Sequence, residues 1–94
     1  MPRLTRSPVA RLRLAAGYET AQAAAEALGC SRIYVLEIEA GRSTPASALT
    51  ALMADKYGIT SAELRGALNA VRRDLLERQL EQLDESETPP ANLG

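Results

Sequence analysis

Hydrophobic positions recur three and four residues apart along most of this chain, and the residues that interrupt them are ones that start and stop helices. Ser7-Pro8 sets a capping hydroxyl before a proline at the first helical position, which predicts a helix from about Pro8 to Ala16 that ends at Gly17. Val9, Leu12 and Ala16 make its inward face, and Arg11 and Arg13 point elsewhere. Thr20 then caps an alanine-rich helix that Gly29 stops in a left-handed conformation. A third helix starts at once behind Ser31, sets Val35 and Ile38 on one face and ends at Gly41. Thr44-Pro45 repeats the cap-plus-proline device, so a fourth helix is expected to follow to about Lys56, with Leu49, Leu52 and Met53 as its core stripe. Gly58 closes that helix, Ile59 plugs the bottom of the core, and Thr60-Ser61-Ala62-Glu63 is a capping box that opens a fifth.

The fifth helix is expected to run from Ser61 to about Glu85, ~36 Å if unbroken, which is too long to cover only its own domain. At about 100° per residue, Leu64, Leu68, Val71 and Leu75 fall within about 60° of one another, and Leu76, Leu80 and Leu83 form a second stripe about 120° round. One stripe suits the body and the other a partner, so Val71, Leu75, Leu76, Leu80 and Leu83 are the candidate dimerisation residues. Gly66 and Asn69 are weak helix formers and mark where a bend or break is expected, if anywhere. Residues 86–94 hold Pro89-Pro90 and almost no apolar surface and read as a disordered tail, while residues 1–6 read as a flexible basic arm.

Composition narrows the fold to one small all-α domain. The chain has 94 residues, 46% of them apolar, with no Phe or Trp and three Tyr, so its core is aliphatic and suited to helices at close range. Net charge is −1, but residues 1–57 carry seven basic and five acidic side chains, against four and seven in residues 58–94. A single cysteine and no histidine rule out an internal disulfide, a zinc finger and a Cys-His nucleophile pair, and Cys30 reads as a small hydrophobe in a turn. The acidic residues are scattered over helix faces and no glycine-rich phosphate loop is present, so neither an enzyme nor a metal or cofactor is expected. Nothing at the start resembles a signal peptide and no run approaches the ~18 apolar residues of a membrane span, so the protein is placed in the cytoplasm.

The stretch from Glu19 to Gly41 carries the functional signal. Two short helices joined by Leu28-Gly29-Cys30-Ser31 cannot lie comfortably antiparallel and must cross steeply, which offers the outer face of the second to solvent. With Thr20 opening the first of them, Ala25 and Leu28-Gly29 ending it, Cys30-Ser31-Arg32, Val35, Ile38-Glu39, Gly41 and Pro45-Ala46 in order, the chain resembles the Cro and lambda-repressor type of helix-turn-helix domain, the XRE family, from about Ser7 to Thr60. It departs from that family's usual pattern at Ala21, where the glutamine after the cap is displaced to Gln22, and at Ala24, where a leucine is usual and the core should be thinner.

The resemblance implies a compact five-helix lambda-repressor-like domain over residues 7–60 that reads double-stranded DNA with its third helix, followed by an extended C-terminal helix over residues 61–85. Ser31, Arg32, Ile33 and Glu37 match the base-facing positions: Arg32 suits guanine, Glu37 the cytosine amino group and Ile33 a thymine methyl. Thr20, Gln22, Tyr34, Arg42, Ser43 and Thr44 are the candidate backbone contacts, and Arg3 and Arg6 of the arm are candidates to join them along the phosphates or in the minor groove. The positions of Arg13 and Glu39 are implied to form an ion pair tying the first helix to the end of the third. The expected function is a homodimeric, sequence-specific repressor of phage, plasmid or bacterial origin on a palindromic operator. The alternative is an antitoxin or adaptor whose C-terminal helix binds a partner protein and whose DNA binding is autoregulatory.

Overall fold

In the computed structural model, which describes residues 7–93 and their side chains as far as Leu83, four of the five helix starts are closed by a side-chain hydroxyl. Helix α1 spans Pro8–Ala15, α2 Ala21–Leu28, α3 Arg32–Ala40, α4 Ser47–Tyr57 and α5 Ser61–Leu93, and the described residues include no strand. Ser7, Thr20, Ser31 and Thr60 each accept a hydrogen bond at 3.0 Å from the backbone N–H three residues on. The Glu63 carboxylate reaches back to accept from the Thr60 N–H at 3.0 Å, which completes the capping box.

The fourth helix departs from the sequence reading. Thr44-Pro45 does not open it: α4 begins behind Ala46 with no side-chain cap, and the Thr50 hydroxyl donates back to the carbonyls of Pro45 and Ala46. Proline disfavours helical backbone in the residue before it, and here the whole Thr44-Pro45 pair stays in the loop. The buried stripe is Thr50, Met53, Ala54 and Tyr57, so of Leu49, Leu52 and Met53 only Met53 lies fully inside. Two faces of this segment have adequate helical spacing, and the one that brings Tyr57 under the body wins at the expense of Leu52, which stays exposed.

The core lies where α1 to α4 meet the first part of α5. Val9, Val35, Ile38, Met53 and Leu64 are its largest fully buried side chains, each contributing about 1.5–3 kcal/mol relative to exposure. Ala24 and Ala25 are fully buried, so the thin side of α2 lets its neighbours approach closely. Leu12 and Ala16 pack at the edge of the cluster and Ile59 closes it from below. Arg13, expected to face outward, is buried, because it has a charged partner across the core.

Helix α5 is unbroken at Gly66 and Asn69 and continues past Glu85 to Leu93. The reading of residues 86–94 as a tail falls on side chains outside those described. Leu64 and Val71 are buried against the body, and Leu68 packs partly against it. Val71 is thus occupied by its own domain rather than offered to a partner. Leu76, Leu80 and Leu83 are 51%, 61% and 54% exposed.

Among the described residues, one buried side-chain group stands without a partner. The Tyr57 hydroxyl has no hydrogen-bond partner among the described residues, while its ring lies 5.8 Å from that of Tyr18. Burial, with the Glu39 carboxylate nearby, pushes its pKa from 10.0 up to about 12. A raised value means that the neutral phenol is the form the fold holds, so its contribution is complete below pH 10 and is lost as pH rises through about 12. Tyr57→Phe removes the orphaned hydroxyl and should leave the protein as stable or up to ~1–3 kcal/mol more stable. Urea denaturation at pH 7 and above pH 10 checks both statements, since the variant should also lose less stability in alkali.

Candidate nucleic-acid interface

The candidate site is built on α2, the turn after it, α3 and the loop that follows. Gly29 adopts φ +75°, and its N–H and that of Cys30 both donate to the Ala25 carbonyl, so the chain turns sharply and Ser31 can cap α3 two residues later. Cys30 sits half-buried in that turn against the core, and burial pushes its thiol up, which favours the unreactive protonated form.

Three groups hold α3 from behind. Val35 and Ile38 are about 1% exposed, and Glu39 accepts from Arg13 at 2.6 Å and 3.4 Å. Arg13 also donates to the Tyr18 carbonyl at 2.9 Å, so one guanidinium joins the end of α1, the α1–α2 loop and the last turn of α3. The buried pair uses the planar fork of arginine, which fits a carboxylate with directional bonds rather than as a point charge.

With its inner side fixed, α3 presents Arg32, Ile33 and Leu36 outward, the two apolar residues being 62% and 39% exposed. Arg32 and Leu36 lie one turn apart on this face, with Ile33 beside them. The family motif gives Leu36 no role, yet a large apolar side chain on the outer half of a short helix needs DNA or a partner protein to cover it, and its spacing from Arg32 and Ile33 places it with them. Glu37 is half-buried, and its carboxylate accepts from the Ser43 hydroxyl at 3.2 Å. Tyr34 turns toward the core, where it packs at the edge of the cluster. Ser31 is exposed, its hydroxyl occupied as the cap.

The loop after α3 is folded back onto the helix. The N–H groups of Arg42 and Ser43 both donate to the Glu37 carbonyl, at 2.9 Å and 3.3 Å, while the Arg42 side chain is exposed. Thr44 accepts from Arg72 of α5 at 3.1 Å. At the other edge, the Thr20 hydroxyl caps α2 and the exposed Gln22 amide donates to Glu26 at 3.1 Å. Arg3 and Arg6 lie outside the described residues. Ser31, Arg32, Ile33, Glu37, Arg42, Ser43 and Thr44 are thus gathered on α3 and its following loop, with Thr20 and Gln22 at the start of α2. Val71, Leu75, Leu76, Leu80 and Leu83 belong to α5.

Among the described residues no group of three or more His, Cys, Asp or Glu side chains is placed to hold a metal ion, and no helix is long and apolar enough to cross a membrane. A family described as helix-turn-helix domain matches residues 9–68, well over half of the chain. No curated protein and no solved structure is significantly similar to it.

Proposed function

The chain belongs to the helix-turn-helix domain family, in the XRE or Cro-like class, and on that premise we propose that it is a sequence-specific transcriptional regulator, a homodimeric repressor that reads a palindromic operator in the cytoplasm. The observation that carries the reading is the division of α3 into two sides. The inner side is locked by Val35, Ile38 and the Arg13–Glu39 pair, and the outer side leaves Arg32, Ile33 and Leu36 with no competing partner among the described residues. A base-reading helix needs this division, because its side chains discriminate only if the backbone that carries them is held in register.

In this mechanism Arg32 donates two hydrogen bonds to a guanine edge, and Ile33 and Leu36 pack on thymine methyls. Glu37 keeps Ser43 on one lone pair and has others left to accept from a cytosine amino group. The start of α2, with Thr20 and Gln22, and the loop with Arg42, Ser43 and Thr44 grip the phosphates on either side and set the register. One such domain neutralises few phosphates, so occupancy at cellular salt requires two of them, joined through α5.

Arg32 and Arg42 separate the two roles. Arg32→Ala should cost about 1–3 kcal/mol on the preferred site and relax the choice of base at one position in each half-site. Arg42→Ala should weaken binding to all sequences alike and flatten the slope of log affinity against log salt by about one unit for each phosphate left without its arginine. Titrations of both variants on selected and scrambled duplexes at several salt concentrations, with sedimentation of the protein alone, test the proposal. An Arg32→Ala protein with unchanged sequence preference would remove α3 from the groove, and a monomer that captures an unrelated protein along α5 would turn the reading toward an antitoxin or adaptor.

A further inference from the structure

We infer that Leu76, Leu80 and Leu83 form the seam of a short parallel, in-register coiled coil with a second copy of this chain, bridged on each side by Arg72 of one copy and Glu77 of the other. The inference rests on the homodimer reading and adds its orientation.

The stripe has the four-then-three spacing of a coiled-coil seam, and all three leucines are more than half exposed. It lies about 120° round α5 from Leu64 and Val71, which face the body. Two such helices can therefore meet along it with each body on the outside, and neither domain stands between them.

Charge decides the orientation. Arg72 and Glu77 are exposed and flank the stripe on opposite sides, five residues apart. In a parallel pair the flank that precedes one seam residue faces the opposite flank of the other helix, so Arg72 meets Glu77 of the second copy, and the two-fold axis makes this contact twice. In an antiparallel pair each flank faces its own kind, which sets the Glu77 side against the Glu77 side and wastes both arginines. The hydrogen bond that Arg72 gives to Thr44 uses one of its five donors and leaves the others free for a carboxylate. Arg72 then joins the seam to the loop after α3, and the orientation of the coil fixes the spacing of the two reading helices.

The test uses the full chain with Cys30→Ser, so that one introduced cysteine at a time reports its neighbour. Sedimentation equilibrium comes first: a monomer at all concentrations, with and without operator DNA, overturns the homodimer reading itself. If the protein is a dimer, Leu76→Cys and Leu83→Cys should each give a disulfide-linked homodimer on mild oxidation. A link that forms only when the two variants are mixed would mean an antiparallel pair, and a dimer that links in neither experiment would place the seam elsewhere. Either result overturns the inference and leaves the homodimer standing. Glu77→Lys should raise the dimer dissociation constant at least several-fold, with partial recovery when Arg72→Glu is added, whereas a purely structural role for either residue would make the two losses accumulate.

Discussion

Arg13→Ala is expected to lose about 3–5 kcal/mol of stability, the cost of leaving a buried carboxylate without its partner. Arg13 and Glu39 are each about 7% exposed, and the guanidinium also satisfies the Tyr18 carbonyl, so truncation strands two acceptors at once. A domain of this size has total stability of about 5–15 kcal/mol, so the variant should be partly unfolded near 37 °C. The paired replacement Arg13→Met with Glu39→Leu should recover most of that loss, because it removes both charges and fills their space with apolar atoms, and should fall short of the parent only by the ~1–3 kcal/mol of the Tyr18 carbonyl left without its donor. Urea denaturation of the two variants and the parent protein measures the difference. A loss under about 1 kcal/mol for Arg13→Ala would mean that the pair is solvated and that α3 is held by Val35 and Ile38 alone. The double variant has a second use. If it folds normally but binds DNA less selectively, the pair serves to fix the angle of α3 rather than to stabilise the domain.

Four of the five helix starts and the stops at glycine were legible because they are local, whereas the start of α4 and the end of α5 were not. Ser7, Thr20, Ser31 and the Thr60 to Glu63 box act within three residues of themselves, and Gly29, Gly41 and Gly58 stop their helices with φ between +71° and +86°. Helix faces were less legible, since the choice between them is made by residues far away in sequence. Leu52 has the spacing of a core residue, yet it stays outside because Tyr57 and Thr50 take the inward face of α4. By helical spacing alone Arg13 belongs on a surface, and only its approach to Glu39, supplied by family resemblance, explains why it is inside. The lower half of α5 showed the same limit. Periodicity separated two leucine stripes but gave Val71 to both roles, and the close approach of α3 to α5 assigns it to the body. At the candidate interface the polar positions are read from the motif, whereas Leu36 has no place in the motif, and its position on the outer half of α3 says only that DNA or a partner protein must cover it.

The close approach of α3 to α5 gives the second large effect. Gly41→Ala is expected to cost about 2–5 kcal/mol, the sum of left-handed backbone strain and overpacking. Gly41 has φ +86°, and a methyl group there would stand 2.9 Å from the Val71 carbonyl oxygen, 3.2 Å from its carbon and 3.3 Å from the Arg72 Cα. All three are backbone atoms of a helix and cannot rotate aside, so α5 must shift away from the end of α3. Gly17 and Gly58 provide the control: both have positive φ, but a methyl group at either meets nothing within 4 Å. Gly17→Ala and Gly58→Ala should therefore lose only the backbone share, about 1–2 kcal/mol each. Thermal or urea denaturation of the three variants separates strain from collision, and equal losses would mean that α5 yields freely at Val71. The collision should also reach function, because a displaced α5 pulls Arg72 away from Thr44, 3.1 Å from it in the native fold. A Gly41→Ala protein that remains folded at low temperature should bind a palindromic site less tightly than the Gly17→Ala protein does, while the two bind isolated half-sites more nearly alike.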